Sequence, residues 1–519
     1  MRSIEELKEH FPQIEFSDKY LEILNYIRDK DDCKLSIQGN SGSGKSTLLK
    51  LIHYMFSDDI ENHRMNIAVA SSTGVASALL NNNTNIGATT VHSLFKLKPK
   101  DIYGSFRPND ISPNAREVLE NLDILIIDEI SMISCDLFDY IMAILFYCRK
   151  RQPTRVLLFG DCMQLQCVIK DDDIIKSHFD IEYNGNHSFF SSKIFKREFQ
   201  TFLLTKIYRQ DGDEKFKDIL NRIRVNEQTQ DDLDYLNQRV ISEENYILNN
   251  ESFLRIVSTN KDVQKYNQIA LDSLDGKYIV LEAEITGTFR ESTEFKSGAF
   301  MEKIFVKKGC AVMITRNSSE KRQDGTLEYY NGNIGTLIDC NDNYATVDLG
   351  EDGIVKVPHS VTNCYEYEVV HEDGNSYVKC RITGSYDNIM IKPCSASTIH
   401  KTQGLTLNNG YLDFGRWIPE CGLYVALSRF RNINSFGLRR PIEMRDISVN
   451  KESLNYIKNA EYTESVYNEM FENSESENNE DKIKFENKVD LIKKFFEENN
   501  LVFKDGKIID KITNFEIKV

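Results

Sequence analysis

Residues 39–47 read GNSGSGKST and constrain the fold more than any other part of this chain. They match the pattern GxxxxGK[ST], follow a β-type run at 34–38, and open the amphipathic segment STLLKLIHYMF. Glycines let backbone N–H groups curl around phosphate oxygens, and the start of the helix adds its dipole. A strand–loop–helix unit that binds a nucleotide is therefore expected. The residues assigned to the nucleotide are Gly39, Asn40, Ser41, Gly42, Ser43, Gly44, Lys45, Ser46 and Thr47.

The side chains expected to act on the phosphates lie in this loop and after a second strand. Lys45 would reach the β and γ phosphates, and Ser46 would ligate Mg²⁺. The segment LDILIIDEISM is an apolar strand that ends in Asp128 and Glu129. An acid there can hold the metal while its neighbour polarises the attacking water, so the pair indicates hydrolysis of the bound nucleotide. The alternative is two solvated acids that begin a turn.

Three further polar residues follow predicted element edges. Gln164, in GDCMQL, has the donor and acceptor needed to sense a γ phosphate or a water. Arg209, in YRQ, and Arg429, in YVALSR, place planar guanidinium groups where transition-state charge could be neutralised. Each of these is weak evidence alone, because most arginines are solvated surface residues.

The pattern of elements predicts an α/β protein. Between residues 33 and 161, short β-type runs alternate with helical patterns, which indicates a parallel sheet whose ligands lie at the strand carboxyl ends. A second α/β region is predicted from 253 and resumes at 396. Between them, GCAVMITRN and NGNIGTLIDCNDNYATVDLG have the alternation and glycine turns of a small antiparallel domain. The first-sheet strands are expected at 34–38, 66–70, 123–127 and 154–159.

Composition narrows the class and the cellular setting. The chain has 519 residues and a formal net charge of −16, so a single small module and bulk basic attraction to nucleic acid are excluded. Eleven cysteines without a CxxC pair fit neither a disulfide framework nor a zinc ribbon. The start MRSIEELKEHF lacks the apolar core of a signal peptide. We expect a soluble cytoplasmic protein without a membrane partner, nucleoid-associated if bacterial or viral.

Taken in chain order, ASSTGVASALL, GATTVHSLF, DEISM, GDCMQL, YRQ, STIHKTQGLTL and YVALSR resemble the motifs of the petite-integration-frequency (PIF) and RecD-like helicases of superfamily 1. The resemblance covers roughly residues 37–438. It implies two RecA-like P-loop domains that couple ATP hydrolysis, with Mg²⁺, to 5′-to-3′ movement along single-stranded DNA. Single-stranded and forked DNA would be the partners of a monomer.

Residue roles follow from the same resemblance. It assigns phosphate and magnesium binding to Lys45 and Ser46, magnesium to Asp128, the catalytic water to Glu129, and the γ phosphate to Gln164. Arg209 and Arg429 would complete the site across the cleft, and Gly404 would contact the nucleotide through its backbone. The residues implied to line the DNA track are Thr73, His92, Thr398 and His400. A lone histidine is as often a structural residue.

The resemblance also fixes the expected domain limits. The prediction is a first RecA-like domain at 1–200, with a pin-like insertion at about 93–116, and a second RecA-like domain at 201–299 and 389–450. An inserted β-barrel of Src-homology type is expected at 300–388. An acidic linker at 461–481 and a helix-plus-hairpin module at 482–519 complete the chain. Tyr103 and Phe106 are candidate wedge aromatics of the insertion, or else local packing anchors.

Two departures from the family pattern concern the third motif and the base. Gln166 and Cys167 stand where the motif usually continues with two prolines. The family's adenine-reading glutamine is missing from FSDKYLEILNYI, although Gln13 lies slightly earlier, so ATP is assigned by family habit alone.

The leading hypothesis is an ATP-dependent 5′-to-3′ DNA helicase. The alternatives are an RNA helicase and a P-loop ATPase that remodels protein. A one-domain switch is disfavoured by the second α/β region and its arginines.

Overall fold

The protein is described from a computed structural model. The model describes residues 2–57, 65–84, 86–149, 153–206, 213–249, 253–296, 300–322, 327–372, 375–403, 405–415 and 418–461, and the short ranges 501–504, 507–510 and 516–517. Contacts divide the chain into two units, Met1–Tyr456 and Ile457–Val519.

The first sheet is wholly parallel and carries the phosphate loop at one strand end. Its strands are β1 (Lys34–Gly39), β2 (Ile67–Ser71), β3 (Thr89–Thr90), β4 (Ile124–Asp128), β5 (Arg155–Gly160) and β6 (Gln200–Leu204). Their order is β3-β2-β4-β5-β1-β6. Most residues of β2, β4 and β5 are buried on both faces, which explains why they form apolar runs and do not alternate with polar residues. The four strands predicted here are confirmed, each within a residue or two.

Helices cover this sheet because their apolar faces need a partner. They are α1 (Ile4–His10), α2 (Asp18–Asp29), α3 (Lys45–Ser57), α4 (Gly74–Thr84), α5 (Val91–Leu94), α6 (Pro113–Glu120), α7 (Cys135–Arg149), α8 (Asp173–Tyr183) and α9 (Lys193–Glu198). Helices α1, α2 and α3 pack on β1 and its neighbours in one core that includes Leu7, Leu24 and Leu49.

A second, smaller parallel sheet and an antiparallel region follow. The strands after β6 are β7 (Leu254–Val257), β8 (Ile279–Glu282), β9 (Glu284–Gly287), β10 (Lys303–Val306), β11 (Ala311–Ile314), β12 (Ile334–Cys340), β13 (Tyr344–Asp348), β14 (Ile354–Glu372), β15 (Asn375–Ile389), β16 (Ile391–Pro393), β17 (Ala396–Thr398), β18 (Gly410–Asp413) and β19 (Phe436–Leu438). The helices are α10 (Glu214–Arg224), α11 (Gln230–Asn237), α12 (Glu243–Asn249), α13 (Asn260–Asp272), α14 (Thr293–Lys296), α15 (Ile399–Thr402) and α16 (Gly422–Leu427).

The second parallel sheet has the order β17-β7-β18-β19. The antiparallel sheet has the order β16-β11-β12-β13-β14-β15-β9, and β8 pairs separately with β10. Two α/β sheets with an antiparallel insertion agree with the predicted fold class.

The structure moves two predicted limits. Strand β6 pairs with β1, so the first domain continues to Leu204 and does not end at residue 200. Strands β8, β9 and β16 belong to the antiparallel region, which therefore spans Ile279–Pro393 and is wider than 300–388. These short strands escaped the prediction because four residues give too little alternation to recognise.

Strands β14 and β15 form a long hairpin that reaches the first sheet. The Tyr367 hydroxyl accepts a hydrogen bond from the Val69 N–H at 2.9 Å. The Asn66 side chain accepts from the Val378 N–H at 2.8 Å and donates to the Ser376 carbonyl at 3.2 Å. The antiparallel region therefore contacts the first parallel sheet, and its Met313 and Ile334 pack in the core of the second.

The C-terminal unit is described only in part. Strands β20 (Leu501–Lys504), β21 (Lys507–Asp510) and β22 (Glu516–Ile517) form an antiparallel sheet, with a hairpin where one was predicted. The predicted helix of this module, and the acidic segment beyond Glu461, lie outside the described residues. Across the described residues, no helix is both long and apolar enough to cross a bilayer.

Candidate functional site: a cleft between two parallel sheets

The loop after β1 has the geometry that phosphate binding requires. Gly42 and Gly44 adopt φ of 80° and 84°, a region that residues with a side chain rarely enter. A Cβ on Gly39 would lie 2.5 Å from Ser43 Oγ and 2.9 Å from Leu204 Cβ. These glycines are therefore demanded by the backbone and its packing, which leaves the loop N–H groups to line a concave surface.

Cationic side chains from both parallel sheets meet this loop. The Lys45 ammonium donates to the carbonyls of Gly39 and Asn40, at 2.7 and 3.0 Å. Arg429 follows α16 of the second sheet and donates to Ser41 Oγ at 2.8 Å. Arg429 is 1% exposed, and burial lowers its pKa, yet a guanidinium remains charged at any physiological pH. Arg429 thus lies at the loop, as predicted.

Two carboxylates end β4 in the same cleft. Burial, together with the charge of Glu129, raises the pKa of Asp128 to about 7, and Lys45 opposes this rise. Glu129 has a left-handed backbone, with φ of 52°, which is uncommon for this residue type and frequent at functional sites. Its Oε2 accepts a hydrogen bond from the Gln403 amide at 3.2 Å.

A buried polar network fixes Gln164. Its amide donates to Asp161 Oδ2 at 3.1 Å. Asp161 also accepts from Arg224 of α10 at 3.2 Å and from the Tyr424 hydroxyl of α16 at 3.4 Å. Burial alone would raise the pKa of Asp161, but Arg224 and Lys45 hold it below its usual value. The network joins the strand-end loop that carries Gln164 to helices on the other side of the cleft.

A cavity of about 890 Å³ extends from the loop, within the size range of small-molecule sites. Ser46, Glu129, Gln164 and Arg429 all line it. Gln13 also lines this cavity, so the glutamine that seemed to lie too early in the sequence reaches the site. Further lining residues that sequence reasoning missed are Tyr20, Asn317, Tyr330, Asn331 and Arg431.

The two threonines expected on the DNA track both cap helices. Thr73 Oγ1 accepts from the Ala76 N–H at 3.2 Å at the start of α4, and Thr398 Oγ1 accepts from the Lys401 N–H at 3.4 Å at the start of α15. Each follows a strand of a parallel sheet, so both lie at strand carboxyl ends.

The two histidines occupy matching turns. Thr90-Val-His92 and Thr398-Ile-His400 each end an edge strand and enter a one-turn helix. His92 Nε2 forms a hydrogen bond with the Tyr103 hydroxyl at 2.8 Å, whereas His400 is exposed. The structure therefore gives His92 an internal partner and leaves the face of His400 accessible.

Within the pin-like insertion predicted at about 93–116, residues 95–107 form neither helix nor strand. Tyr103 is 6% exposed, and its N–H donates to Asp136 Oδ2 at 2.7 Å. Phe106 packs edge-on against Tyr147, with ring centroids 5.5 Å apart. Tyr103 is thus a packing anchor, and a wedge would have to be Phe106.

Two of the predicted site residues are not described by the structure, and four residues of the site were not predicted. Arg209 and Gly404 lie outside the described residues. Sequence reasoning missed Asp161, Arg224, Tyr424 and Gln403. For Asp161 and Gln403 a signal was present, since both stand inside quoted motifs, whereas Arg224 is one arginine of an amphipathic helix.

Comparisons with known proteins agree with this geometry. A family model described as an AAA domain matches residues 18–176. The ATP-dependent DNA helicase Pif1 of Bdellovibrio bacteriovorus is 26% identical over 82% of this chain and 88% of its own length. The human ATP-dependent DNA helicase PIF1 is 27% identical over 77% of this chain and 57% of its own length.

A solved structure extends the likeness to the whole fold. The crystal structure of Bacteroides Pif1 in complex with ADP-AlF4 has a TM-score of 0.74 and 28% identity, covering 87% of this chain and 98% of that one. The fold thus consists of two RecA-like domains with an inserted antiparallel domain, and the resemblance drawn from the motifs is confirmed. Over most of its length the chain is therefore similar to the PIF and RecD-like helicases of superfamily 1.

Proposed function

We propose that this chain is an ATP-dependent DNA helicase that moves 5′-to-3′ on single-stranded DNA and unwinds forked duplexes as a monomer. The observation that carries the proposal is the meeting of Arg429 with Ser41, because it brings the second parallel sheet to the phosphate loop. Hydrolysis at such a cleft depends on the relative position of the two sheets, which is how a motor couples chemistry to movement.

The residues divide the work of hydrolysis. Lys45 and the loop N–H groups hold the β and γ phosphates, and the family motif assigns a backbone contact with the nucleotide to Gly404. Glu129 takes a proton from the attacking water, whose oxygen bonds to the γ phosphorus as the bond to the leaving ADP oxygen breaks. Gln164 senses the γ phosphate, and Arg429 and Arg209 neutralise the charge that develops there.

The site also suits Mg²⁺. The Ser46 hydroxyl and the Asp128 carboxylate are oxygen donors of the kind that this ion takes alongside substrate phosphates, where one or two protein ligands suffice. Bound there, Mg²⁺ would neutralise charge on the β and γ phosphates. Among the described residues, no cluster of three or more histidine, cysteine or acidic side chains offers a metal site without a nucleotide.

The DNA track is proposed from Thr73 and His92 on one domain and Thr398 and His400 on the other. Small polar groups and imidazoles can bond backbone phosphates without reading bases, so binding should tolerate any sequence and weaken with salt. The Bacteroides Pif1 complex with ADP-AlF3 and single-stranded DNA is also similar to this chain, at a TM-score of 0.56.

Two forked duplexes with opposite tails test the proposal. With ATP and Mg²⁺, a fork bearing only a 5′ single-stranded tail should be unwound, and a fork bearing only a 3′ tail should not. Single-stranded DNA should stimulate ATPase more than RNA of the same sequence does. Lys45→Ala serves as the inactive control. Efficient unwinding from the 3′ tail would refute the direction, and stimulation by RNA alone would replace DNA as the substrate.

A further inference from the structure

Gln403 is a buried glutamine that crosses the cleft. It directly follows α15 of the second sheet, is 9% exposed, and donates from Nε2 to Glu129 Oε2 at 3.2 Å. The amide must face Glu129 with its nitrogen, because its oxygen would repel the carboxylate. The base proposed for hydrolysis is therefore held by a residue of the opposite domain.

The other half of this amide is unpaired. Gln403 Oε1 is buried and has no hydrogen-bond partner within the described part of the chain. Buried acceptors of this kind are costly and uncommon, and at a reaction site they indicate a partner that arrives with the substrate. Because Nε2 donates to Glu129, Oε1 of the same amide group lies close to that carboxylate. A water hydrogen-bonded to Glu129 can give its second O–H to Oε1.

We infer that Gln403 is a positioning residue for hydrolysis, which fixes Glu129 through Nε2 and orients the attacking water through Oε1. The inference rests on the proposed function and deepens it. A glutamate side chain has three rotatable bonds, and small errors in the placement of a base lower the rate strongly. Fixing Glu129 from across the cleft makes hydrolysis depend on closure of the two domains.

The same turn carries the proposed DNA contacts of the second domain. The Gln403 N–H donates to the His400 carbonyl at 3.3 Å, and Thr398 caps the start of α15. A strand bound at Thr398 and His400 therefore restrains the backbone from which Gln403 extends. DNA stimulation of ATPase should then pass, at least in part, through Gln403.

The test compares substitutions of two glutamines that each have a buried side-chain oxygen without a partner among the described residues. Gln403→Met keeps the length of the side chain and removes both polar atoms. It should lower the kcat of DNA-stimulated ATPase about 10- to 100-fold while the KM for ATP stays within about twofold. The ratio of stimulated to unstimulated kcat should fall as well. Gln228→Met is the matched control, since Gln228 Oε1 is also buried and without a partner among the described residues, but its Nε2 donates to Asn226 and not to Glu129.

A double-mutant cycle separates positioning from a general structural role. In the Glu129→Gln background, adding Gln403→Met should lower kcat by a clearly smaller factor than in the wild-type background, because the carboxylate that it positions is already lost. Additive losses would overturn the inference, as would wild-type kcat in Gln403→Met. A wild-type chain without DNA-stimulated ATPase would instead refute the proposed function, so the two failures are distinguishable.

Discussion

The two sides of the nucleotide cleft are built differently. The first sheet presents its groups on loops directly after strands, as with Lys45 after β1 and Glu129 after β4. The second sheet supplies side chains from short turns and helices, such as Gln403 after α15 and Arg429 after α16. The first side can hold phosphates by itself, whereas the second adds groups whose effect depends on where its domain lies. We infer that binding belongs mainly to the first side and timing to the second.

The sharpest test of this division is Arg429→Ala. Its guanidinium lies at the phosphate loop, so its loss should lower kcat by about 10³-fold while nucleotide affinity falls far less. Steady-state kinetics and titration with a fluorescent ATP analogue measure the two effects. Arg431→Ala is the control, because Arg431 lines the same cavity but is exposed. Equal losses of affinity and kcat in Arg429→Ala would contradict the inference that binding belongs mainly to the first side and timing to the second.

The next effect concerns the ion pair that bridges the sides. Arg224→Met leaves the buried Asp161 carboxylate without its charged partner, which should lower the free energy of unfolding by about 3–5 kcal/mol. The folded-state pKa of Asp161 is depressed, so its contribution is present above the ordinary value of about 4 and is lost as the pH falls through the folded pKa. The gap in melting temperature between wild type and variant should therefore persist from pH 7 down to about pH 4 and shrink only below that value.

A helix neighbour provides the control for this substitution. Arg222 lies on the same helix, α10, and pairs with the buried Asp232 of α11, but the Arg222 side chain is 38% exposed. Arg222→Met should cost less than Arg224→Met, because Asp232 keeps its hydrogen bonds with Thr229 and solvent partly screens the pair. A gap for Arg224→Met that does not change with pH would show that Asp161 is not the group responsible.

The smallest expected effect compares the two histidine turns. The surrounding protein partly removes water from both His92 and His400 and so lowers the pKa of each. Both imidazoles are therefore neutral at pH 7.5. His400→Gln should weaken binding to single-stranded DNA about threefold, whereas His92→Gln should change it less, because its ring nitrogen already bonds Tyr103. Fluorescence anisotropy over a salt series measures both.

The salt series also tests the charge of His400. The slope of log affinity against log salt should not change, since no charge is removed. A slope lower by about 0.7 would mean that His400 binds DNA as a cation.

The sequence is sufficient to predict one side of the cleft and not the other. Phosphate loops need glycine at fixed positions and an acidic strand end, so residues 39–47 and Asp128-Glu129 are recognisable from local chemistry. Arg224 lies in ordinary surroundings along the chain, Gln403 lies in a motif that does not indicate its partner, and both partners are more than 60 residues away. Only the tertiary structure brings them to Glu129 and Asp161. Tyr103 illustrates the converse, because a loop aromatic suggests exposure and the fold buries it.

The hairpin of β14 and β15 has a mechanical consequence. Strand β15 has 15 residues, which at about 3.3 Å per residue makes an arm of about 50 Å. Its contacts with the first sheet through Asn66 and Tyr367 are hydrogen bonds, each with a net value of about 1 kcal/mol, which water can replace. For an arm of that length, a turn of about 10° at its base moves the tip by about 9 Å. A small rotation of the antiparallel region would thus be amplified into a displacement of more than two steps of about 3.4 Å along a DNA strand, at little cost in hydrogen bonds broken.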